Sequence, residues 1–224
     1  MSDPAVPDLR PRVVLRPLAT PLPVGFLALF SATTSLAVVQ LGWVPESAAR
    51  PVALAALALT VPLQLLAAVV GFLARDPVAG TGMAGLAGTG GAVGLAGLTA
   101  APGSTSPGLG AVLVVSGLAM LVPAVAGRHK LVASAVMGLA AVRFVVTGIA
   151  HLAGGDGLLR LSGWVGLVLG ALSLYAALAF ELEGVRGRAV LPLGRTGDAA
   201  AAVSPGAGGL VPGREPEPGV RPQL

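Results

Sequence analysis

Six runs of about twenty apolar residues follow one another along this chain and constrain its fold more than any other feature. They lie at roughly 22–44, 52–74, 78–100, 108–127, 131–153 and 158–180. A helix of that length, rising about 1.5 Å per residue, crosses the ~30 Å hydrocarbon core of a bilayer. Helices are expected because lipid offers no hydrogen-bond partner to open backbone groups. The runs predict an all-α integral membrane protein with six transmembrane helices.

Composition supports a membrane protein and excludes several other classes. Only 11 % of the 224 residues are charged, whereas 54 % are hydrophobic. A soluble domain has about 25 % charged residues to keep its surface wetted. The chain has no cysteine, so it can form neither a disulfide framework nor a thiolate metal site. The basic residues lie at the edges of the apolar runs and are not interleaved with aromatics, so no nucleic-acid partner is expected.

The distribution of Lys and Arg predicts the topology. The chain divides into a disordered N-terminal tail (1–20), a six-helix transmembrane domain (21–183) and a Gly/Pro/Arg-rich C-terminal tail (184–224). The positive-inside rule places both tails in the cytoplasm, with the protein multi-pass in the inner (plasma) membrane, because one side has far more basic residues. That side collects Arg10, Arg12, Arg16, Arg75, Arg128, Lys130, Arg186 and Arg188, and the other has Arg50 and Arg160.

Glycine patterns in the third and sixth runs favour helix packing over ligand binding. Residues 80–85 spell GxGxxG, but no strand precedes them and no acidic residue follows at the spacing of a dinucleotide site. Gly90 and Gly94 form a small-xxx-small pair, as do Gly166 and Gly170. Such glycines let helix backbones approach closely in lipid.

Arg143 is the charge that a membrane fold does not explain. It lies about twelve residues into the fifth run, near the bilayer midplane, where an arginine costs at least about 2.5–3.5 kcal/mol. Thr147 and His151 follow on the same helical face. The functional interpretation is an electropositive lining that attracts an anion, with a histidine able to titrate near neutral pH. The structural alternative is an arginine satisfied by carbonyls at a helix interface.

Other polar residues have a structural alternative as well. Thr33 and Thr34 in the first run and Gln64 in the second can hydrogen-bond across helices without touching a substrate. Glu181 and Glu183, beside Arg186 and Arg188, are expected to form a solvated cluster. Two histidines and no clustered carboxylates in the runs exclude a metal site and a hydrolytic dyad, so no enzyme activity and no cofactor are expected.

Both ends of the apolar domain resemble one transporter family. Residues 163–175 and 187–194 have its GWxGLxxGAxxxY and GRxVLPxG spacing without a gap, 149–154 resembles its IGNxxG with histidine for asparagine, and 20–26 resembles its NPAPLGL. The family is the YaaH-type acetate/succinate transporters. The matching positions are Pro21, Pro23, Gly25, Gly163, Trp164, Gly166, Gly170, Tyr175, Gly187, Arg188, Pro192 and Gly194, with Phe30, Thr33, Thr34 and Gln64 where the family has its Phe, Thr-Thr and Gln.

The resemblance implies a fold, a substrate class and an assembly. It implies six helices, a homo-oligomer that is hexameric in known members, and transport of acetate or succinate with protons. Under a transport hypothesis built on this chain's own residues, a substrate would pass His151, Arg143 and Thr147 and then a constriction near Phe30 and Tyr175. Ala171 and Ser173 would tune the width of the pore.

Departures from the family pattern keep other functions open. Residues 88–93 are small where the family is aromatic, and Arg143 stands where the family is usually apolar. The first hypothesis is a proton-coupled transporter or channel for a small monocarboxylate such as acetate, or for succinate. The alternatives are a structural or accessory membrane protein that kept the fold, and an ammonium exporter.

Overall fold

Six helices joined by short loops make up residues 18–101, 103–186 and 188–196, the part of the chain that this computed structural model describes. Five of them are long and apolar enough to cross a membrane, and the third is as long but rich in glycine. Their outer faces are apolar, with exposed side chains such as Leu118, Val122 and Phe72. The chain is therefore a multi-pass membrane protein. The helices are α1 (Leu22–Gln40), α2 (Glu46–Leu73), α3 (Pro77–Thr99), α4 (Pro107–Ala126), α5 (Leu131–Ala153) and α6 (Asp156–Arg186).

The six predicted runs match the six helices, with shifted ends. The first was expected to reach residue 44, but α1 ends at Gln40 and the chain turns at Gly42, whose φ is +71°. The last was expected to end near residue 180, but α6 continues to Arg186. The predicted C-terminal tail from residue 184 therefore begins inside a helix. Residues 1–17, which hold most of the predicted N-terminal tail, and 197–224 lie outside the described residues.

Glycines bring the helices into close contact, which confirms the predicted packing role of Gly94 but not that of its pair Gly90. Between α4 and α5, a Cβ added to Gly148 would lie 2.7 Å from the Gly110 carbonyl oxygen, and one added to Gly117 would lie 2.8 Å from the Ala141 oxygen. Between α2 and α3, a Cβ on Gly94 would lie 2.6 Å from the Leu57 Cγ. No larger residue fits at these crossings, which is how helices adhere in lipid.

Helix α2 is irregular where it faces α3. It opens with a 3-10 turn at Glu46–Ala48 and contains a π turn at Ala56–Thr60. Pro62 lies two residues after the π turn, and its missing N–H and its ring interrupt the regular hydrogen-bond ladder. The π turn places Thr60 in the interior, where its side chain is buried.

The end of the bundle that carries both tails, called here the tail end, is closed by ion pairs. Asp76 caps α3 by accepting from the Ala79 N–H at 3.0 Å, and its other oxygen accepts from the Lys130 Nζ at 2.7 Å. This pair joins the loop between α2 and α3 to the loop between α4 and α5. The opposite end of the bundle, which holds the loops 41–45, 100–106 and 154–155, is called here the mouth end.

Residues 188–196, called here the C-terminal strap, pack against the tail end. The carbonyl oxygens of Leu193 and Gly194 accept from the N–H groups of Val132 and Leu131 at 3.2 Å each, which satisfies open donors at the start of α5. Leu193 is buried in the core. The strap thus works as a cap for α5.

Arg195 of the strap corrects the expectation of a solvated acidic cluster. Its Nε donates to Glu183 Oε2 at 3.1 Å, its Nη2 donates to Glu183 Oε1, and its guanidinium lies 5.7 Å from the centre of the Phe180 ring. Glu183 is buried, whereas Glu181 is exposed. The expectation was wrong for Glu183 because the strap covers it and supplies the opposite charge.

Candidate functional site

A cavity of about 440 Å³, called here the central cavity, lies among all six helices. It reaches the surface at the mouth end, where its rim includes the exposed residues Glu46, Gly103, Asp156 and Arg160. The loops around this opening are those that the positive-inside rule predicts to be external. A concave site of this volume is in the range of about 300–1,000 Å³ typical of ligand pockets.

Buried leucines form the apolar wall of the central cavity. Leu29, Leu86, Leu113 and Leu169 line it and are each at most 5 % exposed. Toward the tail end Leu29, Leu86 and Leu169 belong to the same apolar core as Phe26, Met83 and Phe180, and the rings of Phe26 and Phe180 lie 6.0 Å apart there. The cavity is therefore open at the mouth end and sealed by packed side chains toward the tail end.

Arg143 lines the central cavity from the middle of α5. Its side chain is 5 % exposed, and its Nη2 donates to the Gln40 Oε1 of α1 at 3.2 Å. Within the described ranges no carboxylate forms an ion pair with it, since the ion pairs there are Lys130–Asp76 and Arg195–Glu183. A buried cation whose protein partner is a neutral amide retains attraction for an anion.

Thr147 and Ser162 extend the polar group around Arg143. Thr147 Oγ1 donates to the Arg143 carbonyl at 2.7 Å and lies 2.5 Å from the Ser162 Oγ. Ser162 in turn lies 3.4 Å from the Gln40 Oε1. Gln40, Arg143, Thr147 and Ser162 thus form one network, called here the polar cluster, which joins α1, α5 and α6.

Gln64 is buried in the cavity wall without a protein partner. It is 1 % exposed, and neither Nε2 nor Oε1 of its amide has a hydrogen bond. An unpaired buried amide costs about 1–3 kcal/mol, so a fold retains one where a ligand or water completes it. Thr33, also lining the cavity, donates to the Gly166 carbonyl at 3.4 Å.

His151 lies nearer the mouth end, on the same face of α5 as Arg143 and Thr147. Its Nδ1 accepts from the backbone N–H of Ser106 at 3.2 Å, so in the neutral ring the proton lies on Nε2. Ser106 is the N-cap of α4 and accepts from the Leu109 N–H at 3.3 Å. His151 therefore ties the end of α5 to the start of α4 while its ring lines the cavity.

Five of the ten residues expected along the pathway do not line the central cavity. Ala171 is exposed on the outer face of α6, and Ser173 is buried with its hydroxyl donating to the Leu169 carbonyl at 2.7 Å. Thr34 packs against Gly170, and its hydroxyl has no hydrogen-bond partner. The other two are Phe30 and Tyr175.

The expected constriction at Phe30 and Tyr175 is therefore not found in the cavity wall. Tyr175 instead donates its hydroxyl to the Pro192 carbonyl of the C-terminal strap at 2.7 Å. Phe30 follows Leu29, which does line the cavity, and is turned about 100° around the helix from it. On this side of α1 the cavity wall is formed by Leu29.

Most family-motif positions serve close packing. Pro21 and Pro23 begin α1, Gly25 makes room for Met83, and a Cβ on Gly163 would lie 2.8 Å from the Leu41 Cγ. Trp164 is exposed and meets Trp43 edge-on at 5.9 Å, an arrangement typical of the aromatic belt at a membrane surface. In the strap Arg188 is exposed and Gly194 has a φ of +61°, and Gly187 lies outside the described residues.

Comparisons with known proteins agree on one family. No family profile matches the chain. A segment of 55 residues is 36 % identical to the succinate-acetate/proton symporter SatP of Escherichia coli K12, and to that of Shigella flexneri, covering 25 % of this chain and 29 % of each symporter. The match thus spans less than a third of these relatives. The solved structure of the bacterial acetate channel SatP superposes with a TM-score of 0.70 at 24 % identity, over 79 % of this chain and 99 % of that one.

The matched segment and the shared fold both support a resemblance to the acetate transporters. This confirms the resemblance inferred from the two ends of the apolar domain, and it confirms the all-helical fold. The family's named members are a transporter and a channel, in keeping with the expectation of a protein other than an enzyme. Within the described residues no cluster of His, Cys, Asp and Glu is suited to a metal ion.

Two residues of the polar cluster, Gln40 and Ser162, were not predicted from the sequence. Gln40 ends α1, where a polar residue reads as the boundary of a span, and Ser162 is one small hydroxyl in α6. Ser162 precedes Gly166 by one helical turn, so the two share a face, and a Cβ on Gly166 would lie 2.6 Å from the Arg143 Cζ. That shared face next to the glycine motif is the one pattern that could have indicated Ser162.

Proposed function

We propose that the chain conducts a small monocarboxylate such as acetate through the central cavity, with the carboxylate bound by Arg143. The observation that carries the proposal is a buried guanidinium that lines a membrane cavity and has a neutral amide as its side-chain partner. Named relatives that carry acetate support the same substrate class.

The wall around Arg143 offers further groups to a carboxylate. The unpaired Nε2 of Gln64 is a donor that a carboxylate oxygen accepts from, and hydroxyl groups of Thr33 and Thr60 line the same cavity. Charge-assisted hydrogen bonds of this kind are roughly twice as strong as neutral ones. Arginine also matches a carboxylate with two parallel donors.

The test is uptake of labelled acetate into proteoliposomes. Arg143→Gln is expected to abolish uptake because it removes the charge while keeping a polar, though shorter, side chain. Arg188→Gln, in the exposed strap, is the matched control and should keep the parental rate. Uptake by Arg143→Gln at the parental rate would disprove the role of the guanidinium.

We also propose that the carboxylate moves together with a proton. His151 supports this, because it lines the cavity near the mouth end and its Nδ1 can take up a proton when it releases the Ser106 N–H. An acetate gradient imposed on proteoliposomes should then change the internal pH, and should do so more slowly with Arg143→Gln. A protein that kept the fold and lost transport would give no pH change beyond that of empty liposomes.

A cytoplasmic position for the tail end, and a homo-oligomer as in the family, complete the proposal. The chain has no cysteine, so single cysteines report topology without background. Ser104→Cys at the mouth end should react with an impermeant maleimide in intact cells, and Arg128→Cys at the tail end should react only after lysis. Crosslinking in the membrane, followed by mass determination, counts the subunits.

A further inference from the structure

The central cavity is much larger than acetate. Its volume of about 440 Å³ falls among pockets that enclose drug-sized ligands, which run to about 300–1,000 Å³. A two-carbon acid on Arg143 would leave most of the apolar wall facing empty space or water. Binding becomes more favourable when an apolar group of the ligand fills the empty or hydrated part of an apolar cavity.

The charges around the cavity permit one buried carboxylate. Arg143 is the buried charged group in the wall, while Glu46, Asp156 and Arg160 lie exposed at the rim. Away from the polar cluster most of the wall is apolar, with Leu29, Leu86, Leu113, Phe144 and Leu169, and its polar groups there are the neutral side chains of Thr33, Thr60 and Gln64. A second carboxylate on the ligand would meet no second buried cation among these residues, so neutral donors alone would offset its desolvation cost.

Helix α3 leaves the cavity wide at one position. Gly90 lines the cavity, and a Cβ added there would be 3.8 Å from Val61 Cγ2 and 3.9 Å from the Gln64 Oε1, both ordinary contacts. Packing therefore does not require glycine at this position. A larger side chain at Gly90 would take up cavity volume beside the Gln64 amide.

We propose that this chain binds monocarboxylates with a short apolar tail, such as butyrate and hexanoate, in preference to acetate and to dicarboxylates. The carboxylate lies on Arg143, and the tail lies against Leu29, Leu86 and Leu169. The proposal rests on the carboxylate pathway proposed above and narrows its substrate class. Each added methylene should tighten binding about three- to four-fold until the tail fills the cavity.

The experiment measures equilibrium binding of acetate, butyrate, hexanoate and succinate to the full-length protein in detergent, by calorimetry at a pH where all the acids are ionised. Binding in detergent avoids the passive leak of longer acids across lipid. We expect affinity to rise from acetate to hexanoate and succinate to bind most weakly. Arg143→Gln should weaken all the monocarboxylates.

A matched pair of glycine variants on α3 tests the geometry. Gly90→Leu should lower the ratio of hexanoate affinity to acetate affinity by about ten-fold, because the new side chain takes the place of roughly two methylenes. Gly88→Leu is the control, since Gly88 is exposed, outside the central cavity, and has no atom within 4 Å of an added Cβ. It should leave the ratio unchanged.

The outcomes separate this inference from the proposed function. Acetate binding that depends on Arg143, without any gain for butyrate or hexanoate, would overturn the preference for apolar tails alone. Succinate binding as tightly as butyrate would overturn the limit to one carboxylate. No binding of any carboxylate would overturn both proposals. An equal loss of hexanoate and acetate affinity in Gly90→Leu would show that the tail does not lie beside α3.

Discussion

The guanidinium of Arg143 occupies the space that a side chain at Gly166 would need. A Cβ built on Gly166 would lie 2.6 Å from the Arg143 Cζ and 2.8 Å from its Nη2. The glycine of α6 therefore sets where the charge of α5 lies in the cavity. The same glycine's carbonyl accepts from Thr33, which ties α1 to this point.

Gly166→Ala should reduce acetate uptake without unfolding the protein. The added methyl group overlaps a flexible arginine, which can move, so the guanidinium would leave its position beside Gln40 at modest cost in stability. Gly138→Ala, with no atom within 4 Å of the new Cβ, is the control on α5. Proteoliposome uptake and thermal unfolding in detergent measure the two effects. Parental uptake by Gly166→Ala would contradict a fixed position for Arg143.

Gln64→Leu should stabilise the protein while impairing substrate binding. Both polar atoms of the Gln64 amide are buried without partners, so an apolar side chain of similar size removes a cost of about 1–3 kcal/mol. The melting temperature in detergent should rise, and acetate affinity should fall because a donor is lost. A lower melting temperature with unchanged affinity would indicate that Gln64 is a structural residue whose partner is an ordered water.

Arg195→Met should destabilise the protein strongly. It would leave Glu183 buried without its partner, and removing one member of a buried pair costs about 3–5 kcal/mol. The double variant Glu183→Gln/Arg195→Met should recover much of that loss because no uncompensated charge remains. Thermal unfolding of the wild type, both single variants and the double variant gives the coupling energy. Additive losses would contradict a direct pair and point to loosening of the whole strap.

The helices could be predicted from the sequence because lipid imposes a length and a polarity on each span. The residues at which the helices begin and end could not be predicted in this way. The first helix stops four residues early because Gly42 adopts a positive φ, and α6 runs six residues further because the strap buries Glu183. The strap itself depends on pairing between residues of distant segments, such as Tyr175 with Pro192, which hydropathy does not encode.

In the candidate site, too, the features that depend on one helix could be predicted, and those that depend on the packing between helices could not. Arg143, Thr147 and His151 could be placed on one face because positions i, i+4 and i+8 of a helix align. Phe30, Thr33 and Thr34 were all expected in the pathway, but the rotation of α1 turns Thr33 toward the cavity together with Leu29 and leaves Phe30 and Thr34 outside its wall. That rotation is set by the packing of α1 against Gly163 and Gly170 of α6, so it emerges only with the assembled bundle.

His151→Asn should preserve the fold and separate uptake from its pH dependence. An asparagine oxygen at this position can still accept from the Ser106 N–H, as the Nδ1 of His151 does at 3.2 Å, and the related family carries asparagine there. His151→Leu would leave that N–H without its partner and should cost about 1 kcal/mol. If His151 carries the proton, His151→Asn should keep acetate uptake at neutral pH and lose the change in uptake that acidification causes in the parent protein. Uptake assays over a series of pH values, with unfolding curves for both variants, test the two roles. An unaltered pH profile in His151→Asn would confine the histidine to joining α5 and α4.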